Sequence, residues 1–204
     1  MSINTIGGAM LSEAAPWEAC ATHIGHLLLS TRATDISGVS LGMQEAFHTW
    51  HAKTLELRAN DGEIYLIGNG ASASMASHCA ADIMKNGHVR ARVFTDMSLL
   101  TAVGNDEGYE KAFSLPLERY IRPHDMLVAV SSSGRSPNIM NAVGLAQQKG
   151  GHVVTLSAFD DDNPLRSAGD LNFYVPAPCY GWAESCHAAI LHYWMDFFTN
   201  SARV

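Results

Sequence analysis

Apolar residues in the first sixty positions recur at helical spacing, whereas from residue 64 onward they gather into short runs. The stretch 16–29 carries Trp17, Cys20, Ile24, Leu27 and Leu28, and 39–57 carries Leu41, Met43, Ala46, Phe47, Trp50, Leu55 and Leu57. Both spacings predict helices. The later runs, 64–67, 89–94, 126–130, 152–156 and 171–175, have strand length, and each ends at a turn or a Gly/Ser cluster. Helical patterns at 73–85, 106–120, 137–149 and 182–199 follow most of them. Strand and helix in alternation predict a parallel sheet covered on both faces, a doubly wound three-layer α/β/α fold. No linker, internal repeat or low-complexity tract divides the chain. The expectation is one domain over 1–204, with helices in 1–60 used for packing and oligomerisation and the α/β core in 61–204.

At 204 residues the chain is long enough to bury a full core without disulfide or metal. A 47% hydrophobic, 16% charged composition excludes a disordered chain. Thirteen Lys and Arg against twenty Asp and Glu leave a charge of -7 with no basic run, which excludes nucleic acid as a partner. Sparse surface charge points to a homo-oligomer. The cysteines, Cys20, Cys79, Cys179 and Cys186, form no C-x-x-C pair and read as reduced thiols, so a cytoplasmic location is expected. The first eight residues lack a basic segment leading into an apolar one, and no uninterrupted apolar run approaches membrane-spanning length, so no membrane association is expected.

In a doubly wound fold ligands bind beyond the carboxyl ends of the strands, which directs attention to the loops there. After the first strand comes Gly68-Asn69-Gly70-Ala71-Ser72, opening a helix. Small residues let the backbone approach a ligand while helix N–H groups point at it, an anion site in outline. After the third strand comes Ser131-Ser132-Ser133-Gly134-Arg135-Ser136-Pro137, with Ser136 expected as the cap of the next helix and Pro137 in its first turn. Arg135 either adds charge to this site or points into solvent. Two such loops on one sheet, with no P-loop lysine motif, favour a sugar phosphate over a nucleoside triphosphate. Gly68-x-Gly70-x-x-Ala73 with Asp96 also fits a dinucleotide fingerprint, which would leave the serine loop without a task. Ser72 or Ser132 as a nucleophile lacks the G-x-S-x-G context.

Two later helices carry metal-type residues. His78 and Asp82 stand four apart on one, and Glu184 and His192 eight apart on the other, with His187 as a substitute ligand. Facing each other, they would offer two imidazoles and two carboxylates to zinc or a similar divalent ion. The same groups beside a sugar phosphate suit general acid/base work without a metal.

Taken in order, the glycine loop with its His-x-x-x-acid helix, then Leu100-Thr101-Ala102-Val103-Gly104-Asn105-Asp106, then Ser131-Ser-Ser-Gly-x-Ser136, resemble the sugar isomerase (SIS) domain family. Within that family the likeness is to enzymes that interconvert sedoheptulose 7-phosphate and a manno-heptose 7-phosphate. The resemblance implies a five-stranded, flavodoxin-like parallel sheet and a homotetramer with sites at subunit interfaces. It implies phosphate on Ser131, Ser132, Ser133 and Ser136, and sugar contacts from Ser72 beside Asn69 and Gly70. Asp96, Asn105, Asp106 and Asp160 would line the pocket. Asp82 and His192 would be base and acid, and His78, Asp82, Glu184 and His192 zinc-type ligands. No organic cofactor is implied, and heptose supply for the cell envelope or capsule is the implied role. The family usually has glutamate where Asp82 stands and glutamine where Glu184 stands. An alternative within the family is a regulator that binds a sugar phosphate or a replication initiator without catalysis; retention of His78 and His192 argues against it.

Overall fold

The computed structural model describes residues 16–199. The N-terminal stretch read above as lacking a leader lies outside them. Helix α1 (Trp17–Leu29) leads to strands β1 (Arg32–Asp35) and β2 (Ser40–Leu41), then α2 (Met43–Ala59), β3 (Glu63–Gly68), α3 (Ala71–Gly87) and β4 (Arg90–Arg92). Next come α4 (Met97–Asp106), α5 (Ser114–Tyr120), β5 (Met126–Ser131), α6 (Pro137–Gln148), β6 (His152–Ser157), β7 (Leu171–Tyr174) and α7 (Tyr180–Thr199).

Five strands run parallel in the order β4-β3-β5-β6-β7, and β1 and β2 add to the β7 edge in antiparallel register, giving a sheet of seven. The expected five-stranded parallel sheet is thus present with a hairpin extension. That hairpin is where the sequence predicted the start of a helix at 39. Asp35 builds its turn by accepting from the Ser37 and Val39 N–H groups, with Gly38 at a φ of +80°.

Strand periodicity divides the core in two. On one face Ile64, Leu66, Val128, Val154 and Leu156 pack with Trp50, Phe173, Trp194 and Phe198, the two indoles stacked 4.1 Å apart. On the other, Tyr65, Ile67, Leu127 and Ala129 meet Phe113, Leu117, Ile139 and Val143. Every residue of β3 and β5 is buried, as a strand covered on both faces requires.

The expected helix 106–120 breaks. Gly108 turns the chain at a φ of +94°, and α4 begins earlier, at Met97, where Asp96 caps it by accepting from the Leu99 N–H at 2.9 Å.

Candidate active site

Among the parallel strands, numbered by sequence, the order is 2-1-3-4-5, so connections diverge between β3 and β5. Ligands bind at such a switch point, beyond the carboxyl ends of the strands. The glycine loop leaves β3 there and the serine loop leaves β5 beside it.

The glycine loop is shaped by two glycines. At Gly68 an added Cβ would lie 2.6 Å from Ser72 Cβ, and Gly70 has a φ of +56°. In the serine loop, Gly134 has a φ of +60°; its N–H donates to the Ser131 carbonyl at 3.0 Å, and Asn163 packs where a Cβ would go. Asn163 is itself tied to the carbonyls of Ala158 and Asp160. Ser136 stands at the N-cap of α6, but its hydroxyl makes no cap bond and instead accepts from Ser131 Oγ at 3.4 Å. The hydroxyl expected to serve the helix is therefore turned to its own loop. Arg135 pairs with Asp162 and Asp160 and contributes nothing to the cavity.

Between the two loops and the start of α7 lies a cavity of about 100 Å³, lined by Asn69, Ser72, Ser131, Ser132, Ser133, Ser136, Tyr180 and Glu184. At roughly 30 Å³ per water, that is room for one phosphate group. Five serines and the positive ends of α3 and α6 converge on it. A larger cavity of about 550 Å³ near Lys53, His124 and His152 lies at the opposite, amino ends of the strands and holds none of these loops.

Helices α3 and α7 both start at the cavity and run side by side. Ser72 and Glu184 share the cavity, the rings of His78 and His192 lie 5.3 Å apart further down, and Gly87 sits against Phe198 near the far ends. His78 Nε2 lies 3.4 Å from Asp82 Oδ2, so Asp82, His78 and His192 form one cluster. His78 and His192 are exposed and Asp82 half-buried. By helical rise, Asp82 lies about 15 Å along α3 from Ser72. Side chains on a helix lean toward its N-terminus, here toward the cavity, which shortens the gap.

The structure sets Glu184 apart from the other three expected zinc ligands. Glu184 belongs to the phosphate-sized cavity, two turns above His192, and among the described residues no three His, Cys, Asp or Glu side chains converge as metal ligands. The residues present do not form a ready zinc site. His187 is unsuited as a substitute: it is fully buried beneath the sheet, Nε2 3.2 Å from the Ser157 carbonyl, and burial pulls its pKa down to about 4. Asp96, occupied as the α4 cap, does not line this cavity. The same holds for Asn105 and Asp106, which bond each other at 2.7 Å on an exposed helix end, and for Asp160. Ser72 is buried, with no histidine lining the cavity beside it, so the nucleophile reading lacks a serine–histidine pair.

Tyr180 and Asn138 went unnoticed in the sequence. Tyr180 starts α7 and packs edge-on to Phe159; Asn138 bonds Asn69. Their one signal was position: each occupies the first turn of a helix that begins at the strand ends.

A family model described as SIS domain matches residues 44–158. The phosphoheptose isomerase of Syntrophotalea carbinolica is 32% identical over 141 residues, covering 66% of this chain and 71% of that protein. That of Helicobacter pylori is 32% identical over 162 residues, covering 76% and 83%. The structure of phosphoheptose isomerase from Neisseria gonorrhoeae superposes with a TM-score of 0.69 at 30% identity, covering 89% of this chain and 98% of that one. Fold, loops and relatives agree, and the chain belongs to the SIS domain family.

Proposed function

We propose that this chain is a phosphosugar isomerase that interconverts sedoheptulose 7-phosphate and D-glycero-D-manno-heptose 7-phosphate through an enediol. The observation that carries the reading is the pairing of a phosphate-sized serine cavity with an acid/base cluster further along the same two helices. Relatives named phosphoheptose isomerase support it.

The phosphate is held by Ser131, Ser132, Ser133 and Ser136 between helix N-termini, and the open-chain sugar runs from there along the groove between α3 and α7. Six carbon–carbon bonds of about 1.5 Å each give a seven-carbon chain the reach to bring C1 and C2 toward Asp82 and His192. Asp82 takes a proton from C1 while His192 gives one to the C2 oxygen, which leaves the enediol. His192 then accepts the proton of the C1 hydroxyl and Asp82 returns one to C2, giving the aldose. His78, beside the Asp82 carboxylate, holds it in place. Holding the phosphate turns the proton transfers into reactions within one complex. No step is assigned to a metal, because the ligands do not converge.

An exposed acid/base cluster excludes water poorly, and proton transfer to carbon gains from a closed site. Met84, two residues from Asp82 on α3, and Tyr193, next to His192 on α7, are exposed, as are Trp17 and Leu29 on α1. A second copy of the chain laid on this helical face would close the cluster, so we include a homo-oligomer, a tetramer as in the family resemblance, in the proposal. The four cysteines, all unpaired, support a cytoplasmic setting.

The test is paired substitution. Asp82→Asn and His192→Gln should each lower turnover at least about a hundredfold, the usual scale of a lost general acid or base, with unchanged circular dichroism. Full activity in both would remove the mechanism.

A further inference from the structure

Among the described residues Asn69 brings the only side-chain amide to the phosphate-sized cavity, and its hydrogen bonds are committed in a definite order. The Ile139 N–H, in the first turn of α6, donates to Asn138 Oδ1 at 3.0 Å. A backbone N–H needs an acceptor, so this bond fixes which end of the Asn138 amide is oxygen. Asn138 Nδ2 then donates to Asn69 Oδ1 at 2.9 Å, and Asn69 Nδ2 donates back to Asn138 Oδ1 at 3.0 Å. The Tyr109 hydroxyl donates to the same Asn69 oxygen at 3.0 Å. A side-chain amide has two N–H donors and two acceptor lone pairs. Both lone pairs and one N–H of Asn69 are taken, and a single N–H remains.

We propose that Asn138 and Tyr109 are positioning residues that make Asn69 a dedicated hydrogen-bond donor to the phosphate end of the substrate. Left free, the Asn69 amide could turn its oxygen to the anion and repel it; locked, it offers only a donor. Asn138 is 2% exposed and Asn69 half-buried, so the Asn138 side of the amide pair is shielded from water. The pair also ties the glycine loop after β3 to the helix that follows the serine loop, so both walls of the cavity move together. The proposal rests on the phosphosugar reading, and the experiment separates the two.

Binding of inorganic phosphate is measured by calorimetry, beside KM and kcat with sedoheptulose 7-phosphate. Asn138→Ala should raise the phosphate Kd and KM roughly tenfold, the scale of one lost charge-assisted hydrogen bond, with a smaller change in kcat. Tyr109→Phe should shift them in the same direction by less. Asn138→Asp supplies a readout that a merely structural role would not move. Its ionised carboxylate cannot donate to Asn69 Oδ1, while its protonated form offers one O–H and one carbonyl in the amide layout. The ratio of variant to wild-type phosphate affinity should therefore recover as pH falls from 8 to 5. Should Asn138→Ala fail to fold, Tyr109→Phe and the pH response of Asn138→Asp decide. Wild-type phosphate affinity in the Asn138 and Tyr109 variants, alongside loss in Ser133→Ala, would overturn the positioning role. A wild-type protein that neither binds phosphate nor isomerises the sugar would overturn the phosphosugar reading beneath it.

Discussion

His187 shows how one residue type divides between chemistry and structure. It stands one turn from Glu184, yet its ring is fully buried and its Nδ1 has no hydrogen-bond partner. Burial holds the folded imidazole at about 4, against an ordinary value near 6.5 in the unfolded chain. Between those two pH values the unfolded state binds a proton that the folded state refuses. Stability therefore falls as pH drops through that window and levels off below it, with a loss of up to about 3 kcal/mol from this group. Urea unfolding at pH 7 and pH 4.5 checks this: His187→Gln, which keeps a donor for the Ser157 carbonyl, should lose part of the pH slope. An identical slope in the variant would assign acid lability elsewhere. At this scale the sequence was only partly legible. Ser131, Ser132, Ser133 and Ser136 could be read because a run of hydroxyls has few structural explanations. Asp96 could not be read in the same way, because an aspartate before a helix serves as a cap as readily as a ligand, and here it caps α4.

Elements were more legible than residues wherever burial is two-sided. Strands β3, β5 and β6 follow directly from mainly apolar runs ended by Gly or Ser, since a strand covered on both faces has few polar positions to blur it. The β1–β2 hairpin escaped notice because it is an edge ribbon with mixed burial. The helix expected over 106–120 ran through Gly108, whose positive φ ends one helix and turns the chain before the next. Loop geometry can be tested at Gly134. Its φ of +60° and the Asn163 oxygen 1.9 Å from an added Cβ leave no room for alanine, and Asn163 is anchored by its own bonds. Gly134→Ala should cost about 1–3 kcal/mol in chemical denaturation and weaken phosphate binding with it. A stable variant with intact binding would mean the serine loop does not depend on this turn.

At the scale of the whole molecule, the acid/base cluster and a set of exposed apolar side chains both lie on helices that flank the sheet. Trp17 is 76% and Leu29 86% exposed in the single chain. Light scattering coupled to size exclusion should therefore find an oligomer at micromolar concentration, and Leu29→Lys should shift it toward smaller species while lowering activity. An active monomer would contradict a site completed by a second copy.

The central claim is the reaction, and proton NMR of the purified protein with sedoheptulose 7-phosphate in deuterated buffer tests it most directly. Appearance of the aldose carrying deuterium at C2 is the result expected of an enediol formed and collapsed by Asp82 and His192. No aldose and no exchange at C1 after prolonged incubation would contradict the account.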